Sequence, residues 1–258
     1  MKFGALCCVY DDETWLKDSF ESIYSSCATI YYVVNDKPWH GPSTDNSCII
    51  SALNNLPDPD KKIRIIKGSW PQLAPGETEQ RNAGLKLIEQ AGMDYCFIVD
   101  SDEIYDSGVL LNMMNFASRN PQIECWHTEM DTYWKSYQYV IRPLEPCRPA
   151  IFIKLGVGAY FTSIREVNAK TRTIMPPNIG FYHHMSYARS DEQVKKKISM
   201  FSHADEIVAG WYENIWKGWD EDNNMTDLHP TCPHCYAKAI RRPISELPEV
   251  LRKRLGGI

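Results

Sequence analysis

The chain reads as an α/β protein built on a parallel, doubly wound sheet, and three observations predict it. Apolar runs without alternation recur at residues 3–9, 30–34, 62–66 and 95–99, the pattern of strands buried on both faces. Helical spacing separates them, in the order strand, helix, strand, strand, helix, strand over the first hundred residues. Three of the runs close on acids, Asp11 and Asp12, then Asp36, then Asp100 and Asp102. A parallel sheet lays those ends along one edge, where ligands of open α/β sheets bind.

Each element has its own signal. After the run at 3–9, Leu16, Phe20 and Ile23 recur at helical spacing, with Asp12 as a plausible N-cap. Ile30–Val34 closes on Asn35-Asp36, and Lys62–Ile66 brings β-branched isoleucines. A loop rich in Pro and Gly (Trp70 to Gly76) precedes a helix near Glu77–Ala91, stopped by Gly92. Gly84 lowers that helix's propensity, but Ala83, Leu87, Ile88 and Ala91 keep the period. Tyr95-Cys-Phe-Ile-Val99 then ends in Asp100-Ser-Asp102-Glu103. Beyond it, 107–117 reads as a short helix, while 124–139, 150–155 and 158–161 read as strands. Ser190 with Gln193 forms a capping box for a helix reaching about Val208. No internal repeat or clean linker divides the sequence. The expectation is a single domain, 1–258, with a nucleotide-binding half over about 1–105 and a less regular acceptor-side half over about 106–258.

Bulk properties narrow the class. A chain of 258 residues with 43% hydrophobic content can bury a substantial core. The net charge of −5 argues against a general nucleic-acid coat. A local basic stretch does exist near the C-terminus: Lys238, Arg241, Arg242, Arg252, Lys253 and Arg254, against Glu246 and Glu249. It reads as a solvated helix or a contact for an anionic acceptor or headgroup. The first residues do not read as a signal peptide, and no apolar segment has the length of a membrane span. Nine cysteines, several inside strands, read as reduced thiols in a cytoplasmic protein. Cys232-Pro-His-Cys235, with His229 before it, has half of a zinc-site spacing, which Cys147 could complete. Asp220-Glu221-Asp222 reads as a solvated loop. Aromatics such as Trp126, Tyr133, Trp134, Tyr137, Tyr139, Trp211, Trp216 and Trp219 suit packing, or a platform for a sugar or base.

The acids after Val99 carry the chemistry. Carboxylates two residues apart at a strand end are hard oxygen ligands suited to Mg²⁺ or Mn²⁺ carrying a diphosphate. Neither G-x-G-x-x-G nor G-x-x-x-x-G-K-[ST] occurs, which removes a dinucleotide fingerprint and a P-loop.

Several motifs, in order, resemble the GT-A glycosyltransferases, most closely family 2. These are Val9-Tyr10-Asp11-Asp12-Glu13, Asp36, Glu79-Gln-Arg81-Asn-Ala-Gly84 and Asp100-Ser-Asp102-Glu103, and the resemblance covers roughly residues 1–200. It implies a GT-A-type, Rossmann-like parallel or mixed sheet flanked by helices. It implies a metal-dependent transfer of sugar from a nucleotide-sugar, a UDP-sugar foremost, to a hydroxyl acceptor. Tyr10, Asp11, Asp36, Arg81 and Asp100 would border the nucleotide-sugar, and Asp102 would hold the metal. His183-His184-Met-Ser-Tyr187 is similar to the family's late H-x-x-Y element, with His184 the better metal ligand and His183 the reserve. Glu166 falls at the family's catalytic glutamate, although Arg165 replaces the histidine before it. Glu129 and Asp131 are the other base candidates. The acceptor could be a glycan, a protein side chain or a modified DNA base.

Other classes use parts of the same pattern. A haloacid-dehalogenase-like phosphatase would make Asp100 a nucleophile. Its motif normally opens the chain, whereas here about a hundred residues precede it. A nucleotidyltransferase would need a glycine-rich first loop, missing after Val9. A non-catalytic nucleotide- or sugar-binding module would keep the fold without the chemistry.

Overall fold

Strand β1 (Phe3–Val9) is buried along its whole length, and the main sheet grows outward from it. The computed structural model describes residues 1–43, 45–223 and 225–255. On one side β1 pairs in parallel with β2 (Thr29–Asn35), which pairs in parallel with β3 (Ile63–Gly68). On the other it pairs in parallel with β4 (Tyr95–Ile98). Past β4 the direction reverses: β9 (Ala150–Lys154) runs antiparallel to both β4 and β6 (Cys125–His127). Strand β10 (Arg172–Ile174) closes that edge, parallel to β6. The order β10-β6-β9-β4-β1-β2-β3 is a seven-stranded mixed sheet flanked by helices, a Rossmann-like α/β architecture as the sequence predicts.

The absence of alternation in β1 has a direct cause. Ala5, Cys7 and Val9 face a core built with α1 (Leu16–Ile23), α2 (Ser47–Asn54) and α4 (Ser107–Arg119). Leu6 and Cys8 face a second core built with α3 (Leu73–Gln90) through Leu85 and Ile88. With helices on both faces, every position of the strand must be apolar.

A second sheet sets the late histidines beside the acids of β4. Strand β5 (Glu103–Ile104) begins directly after Asp102 and pairs antiparallel with β11 (Tyr182–Tyr187), placing His184 opposite Glu103. The sheet continues through β7 (Met130–Trp134), β8 (Tyr139–Arg142) and β12 (Lys238–Arg241), in the order β12-β8-β7-β11-β5.

Several expectations are corrected. Asp12 does not cap α1, which starts after Trp15; its carboxylate is taken by Arg189 instead. Helix α3 starts at Leu73, earlier than expected, because Pro75 falls in the first turn, where its missing N–H is no loss. Residues 158–161 form only a bridge, Phe161 to Val167. Helix α5 (Asp191–Met200) has the predicted Ser190–Gln193 capping box. It stops at Met200 rather than near Val208, because Phe201 turns to an extended conformation and a 3₁₀ turn follows at Ala204–Glu206. Of the two readings of the late aromatics, packing holds for Trp134, Trp211 and Trp216, which Tyr187 joins. Trp134, Tyr187, Trp211 and Trp216 are buried together in one edge-to-face cluster. The C-terminal α6 (Glu249–Arg254) docks on α1 through Arg254 and Asp18, 2.5 Å apart.

Gly84 is a packing device. A Cβ there would lie 2.2 Å from Leu6 Cδ1 and 2.9 Å from Val33 Cγ2, so α3 sits on β1 and β2 at a distance that glycine alone allows. Gly84→Ala is expected to lower stability by about 1–3 kcal/mol through overpacking, despite alanine's better helix propensity. Equilibrium urea unfolding checks this, and a stabilised variant would contradict it.

Candidate functional site

The carboxyl ends of β1 and β4 open into a cavity of about 350 Å³. Its walls come from three places. Tyr10 to Thr14 and Asp100 to Asp102 line it from the strand ends, Trp39, Glu77 and Arg81 from one side, and His184, Arg189 and the α5 segment through His203 from the other. Tyr10, Asp11, Arg81, Asp100, Asp102 and His184 are therefore brought together. Asp36 is exposed at the end of β2 and is not part of this wall.

Asp100 and Asp102 have different surroundings. Asp100 accepts from Arg81 Nη2 (3.0 Å) on one oxygen and from Arg165 Nη1 (2.7 Å) on the other. Arg165 also reaches Glu103 at 3.0 Å, and Arg81 reaches Glu77 at 2.8 Å. Burial opposes charge on Asp100, but the two guanidiniums hold its carboxyl below the usual range. Glu103 has the opposite balance, with burial pushing its carboxyl up despite Arg165. An acid buried this deeply survives as an anion only beside such cations.

Asp102 accepts on Oδ2 from Lys197 Nζ (2.7 Å) and Arg189 Nη2 (2.9 Å). Its Oδ1 lies 3.6 Å from His184 Nε2. Burial again opposes its charge, and Lys197, His184 and Arg189 together hold the carboxyl well below the usual range. Burial would push the His184 imidazole down, but Asp102 wins and raises it. Arg189 also grips Asp12 with two bonds, 2.7 and 2.9 Å, and Lys196 pairs with Asp11 at 2.9 Å.

Two donors on the wall could hold a divalent cation. One carboxylate oxygen and one imidazole nitrogen face each other at the cavity wall, while the neighbouring cations occupy the other oxygen. Oxygen and imidazole donors together suit Mn²⁺. Arg81 lines the wall, and its Nη1 is buried with no hydrogen-bond partner. Asp100 has both oxygens engaged by arginines.

Other predicted residues fall elsewhere. Glu166 is more than half exposed, faces Arg172 at 3.5 Å and is absent from the cavity wall, whereas its neighbour Arg165 points inward. Glu129 pairs with Arg148, and Asp131 is buried between Arg142 and Arg242. His183 is bonded to Tyr133 through Nδ1 and held to about 4 by burial and Arg242. Cys232 and Cys235 are joined in a disulfide, which corrects the reading of all nine cysteines as thiols. The sulfurs considered for zinc are thus bonded to each other, with His234 Nε2 3.7 Å from Cys232.

Arg189, Lys196, Lys197 and Trp39 were not singled out from the sequence. The lysine run 195–197 just after the His-His pair was the available signal, since buried acids require nearby cations.

No family model matches the chain, and no curated protein matches it. Among solved structures, residues 1–349 of S. aureus TarS are similar at 16% identity, covering 72% of this chain and 61% of that one, with a TM-score of 0.46. The same protein in complex with UDP is similar at 12% identity, covering 87% and 74%, with a TM-score of 0.46. A CMP:2-keto-3-deoxy-manno-octonic acid synthetase complexed with CTP is similar at 10% identity, covering 60% and 72%, with a TM-score of 0.32. The chain thus spans about six-tenths of the first of these structures.

His229 gives the site's surroundings a pH dependence. Its Nδ1 accepts the backbone N–H groups of Thr231 and Cys232, and burial, with His203 and His184 nearby, lowers it to about 4. The unfolded imidazole takes a proton below about 6.5, so the unfolded state binds more protons and stability falls as pH drops from about 6.5 towards 4. His229→Asn, whose amide oxygen can accept the same two bonds, should flatten that slope in denaturation measured across the interval. An unchanged slope would contradict the assignment.

Proposed function

We propose that this protein is a divalent-metal-dependent glycosyltransferase that takes its sugar from a nucleotide-sugar, with UDP-sugars the first donors to test. The observation that carries this reading is the facing pair Asp102 Oδ1 and His184 Nε2, on the wall of a cavity at the carboxyl ends of β1 and β4. That pair would hold Mn²⁺ or Mg²⁺, which when bound supplies Lewis-acid stabilisation to the charge of a departing diphosphate.

The chain's own groups do the rest. Arg81, fixed by Glu77 and Asp100, brings a guanidinium to the wall where a ribose or phosphate would lie. Lys196, Lys197 and Arg189 surround the anion with positive charge in a partly water-excluded space. Trp39, pinned by its Nε1 bond to Gln80, and Tyr10 give the wall aromatic surface for a base or sugar.

A phosphatase built on Asp100 is disfavoured, because a nucleophilic carboxylate needs a free oxygen and both of its oxygens are bonded to arginines. No helix among the described residues is long and apolar enough to cross a membrane. A glycan, a protein side chain or a modified base remain the acceptor classes to screen.

UDP with Mn²⁺ should raise the melting temperature, and UDP with chelator should do so far less. Asp102→Ala should lose the metal-dependent part of the shift. Equal stabilisation by inorganic phosphate alone, or no response to any nucleoside diphosphate, would overturn the reading.

A further inference from the structure

Transfer to a hydroxyl needs a proton acceptor at the cavity, and all but one of the acids on the wall are already paired. Asp11, Asp12, Glu77, Asp100 and Asp102 are each bonded to a lysine or arginine, so their carboxylates are already engaged. Glu166 lies outside the wall. Glu13 is exposed at the mouth of the same cavity and is the carboxylate alternative to the base proposed below.

His203 is different. It lines the same cavity as Asp102 and His184, and its Nδ1 lies 2.8 Å from Glu206 Oε1. A carboxylate accepts from an imidazole N–H, so this contact places the proton on Nδ1 and leaves the lone pair on Nε2. The segment is held in place. His40 takes the Met200 carbonyl through its backbone N–H at 3.0 Å, and its ring nitrogens lie 3.2 Å from the Ser199 carbonyl and 3.0 Å from Asp205. The 3₁₀ turn Ala204–Glu206 then returns Glu206 to His203, with the Glu206 N–H on the His203 carbonyl at 2.9 Å. The His203 side chain is 44% exposed, enough to pass a proton on to solvent.

We propose that His203 is the general base of the transfer and that Glu206 is its positioning residue, an inference that rests on the nucleotide-sugar reading above. The acceptor O–H proton moves to His203 Nε2 as that oxygen's electron pair bonds to the anomeric carbon. The anomeric carbon–oxygen bond to the diphosphate breaks, and its electron pair leaves on the phosphate oxygen. With water as acceptor the products are free sugar and nucleoside diphosphate, and His203 returns its proton to solvent.

The test uses the full chain with Mn²⁺, water as acceptor, and UDP-glucose, UDP-N-acetylglucosamine, GDP-mannose and TDP-glucose as donors. Nucleotide release gives kcat and KM, and calorimetry with UDP gives affinity. His203→Ala should lower kcat by about 10²-fold or more, the usual range for losing a general base, with UDP affinity unchanged. Glu206→Gln should lower kcat by about tenfold or more with KM unchanged, the mark of a lost orienting carboxylate. A His203→Ala protein that keeps kcat within threefold overturns the proposal, as does loss of turnover in Glu166→Gln but not in His203→Ala. Wild-type protein that binds UDP yet releases no nucleotide from any donor also overturns it, while leaving the nucleotide site standing. Failure to bind any nucleoside diphosphate would instead bring down the reading on which it rests.

Discussion

Buried and half-buried aspartates crowd the ends of the parallel strands, and arginines come to meet them. Asp100 is spanned by Arg81 from α3 and Arg165 from the loop before β10, one guanidinium on each oxygen. Asp102 and Asp12 share Arg189, which follows β11. These bonds tie the strand ends, the long helix and the second sheet into one site, so the pocket's shape depends on its charge pairing. Removing a cation from such a network leaves a carboxylate both dry and alone, which costs far more than the pair contributes.

The same network divides the labour between the two aspartates. A carboxylate with both oxygens in guanidinium bonds is fixed in place and serves to hold Arg81 towards the cavity. A carboxylate with one oxygen turned to a histidine can take a cation. In the proposed function, Lys196, Lys197 and Arg189, each paired with an aspartate, line the place where a diphosphate would sit. On this account the metal adds to a field that the chain has already arranged.

Much of the fold was legible because its physics is local. Strands buried on both faces must be apolar through their centres, and β1, β2 and β4 show it. The capping box at Ser190 fixes a helix start by hydrogen bonds that the sequence spells out. What escaped is set by distant partners. Asp12 looks like an N-cap until Arg189, 177 residues away, takes its carboxylate. Gly84 looks like a weak point in a helix until Leu6 and Val33 are seen beneath it. At the site, order along the chain picked out Asp100, Asp102, Arg81 and His184. It could not say that residue 165 turns inward and residue 166 outward, since neighbours in an irregular loop have no fixed period. Nor could it show that Phe201 ends α5 early and brings His203 to the cavity.

The most direct test of the central claim is a crystal structure of the protein with UDP and Mn²⁺, with the cation located by its anomalous scattering. The account predicts Mn²⁺ within about 2 Å of Asp102 Oδ1 and His184 Nε2, bridging to the diphosphate, with Asp100 still held by Arg81 and Arg165. Nucleotide bound with no cation at that pair, or a cation bound through Asp100 in place of Asp102, would contradict it.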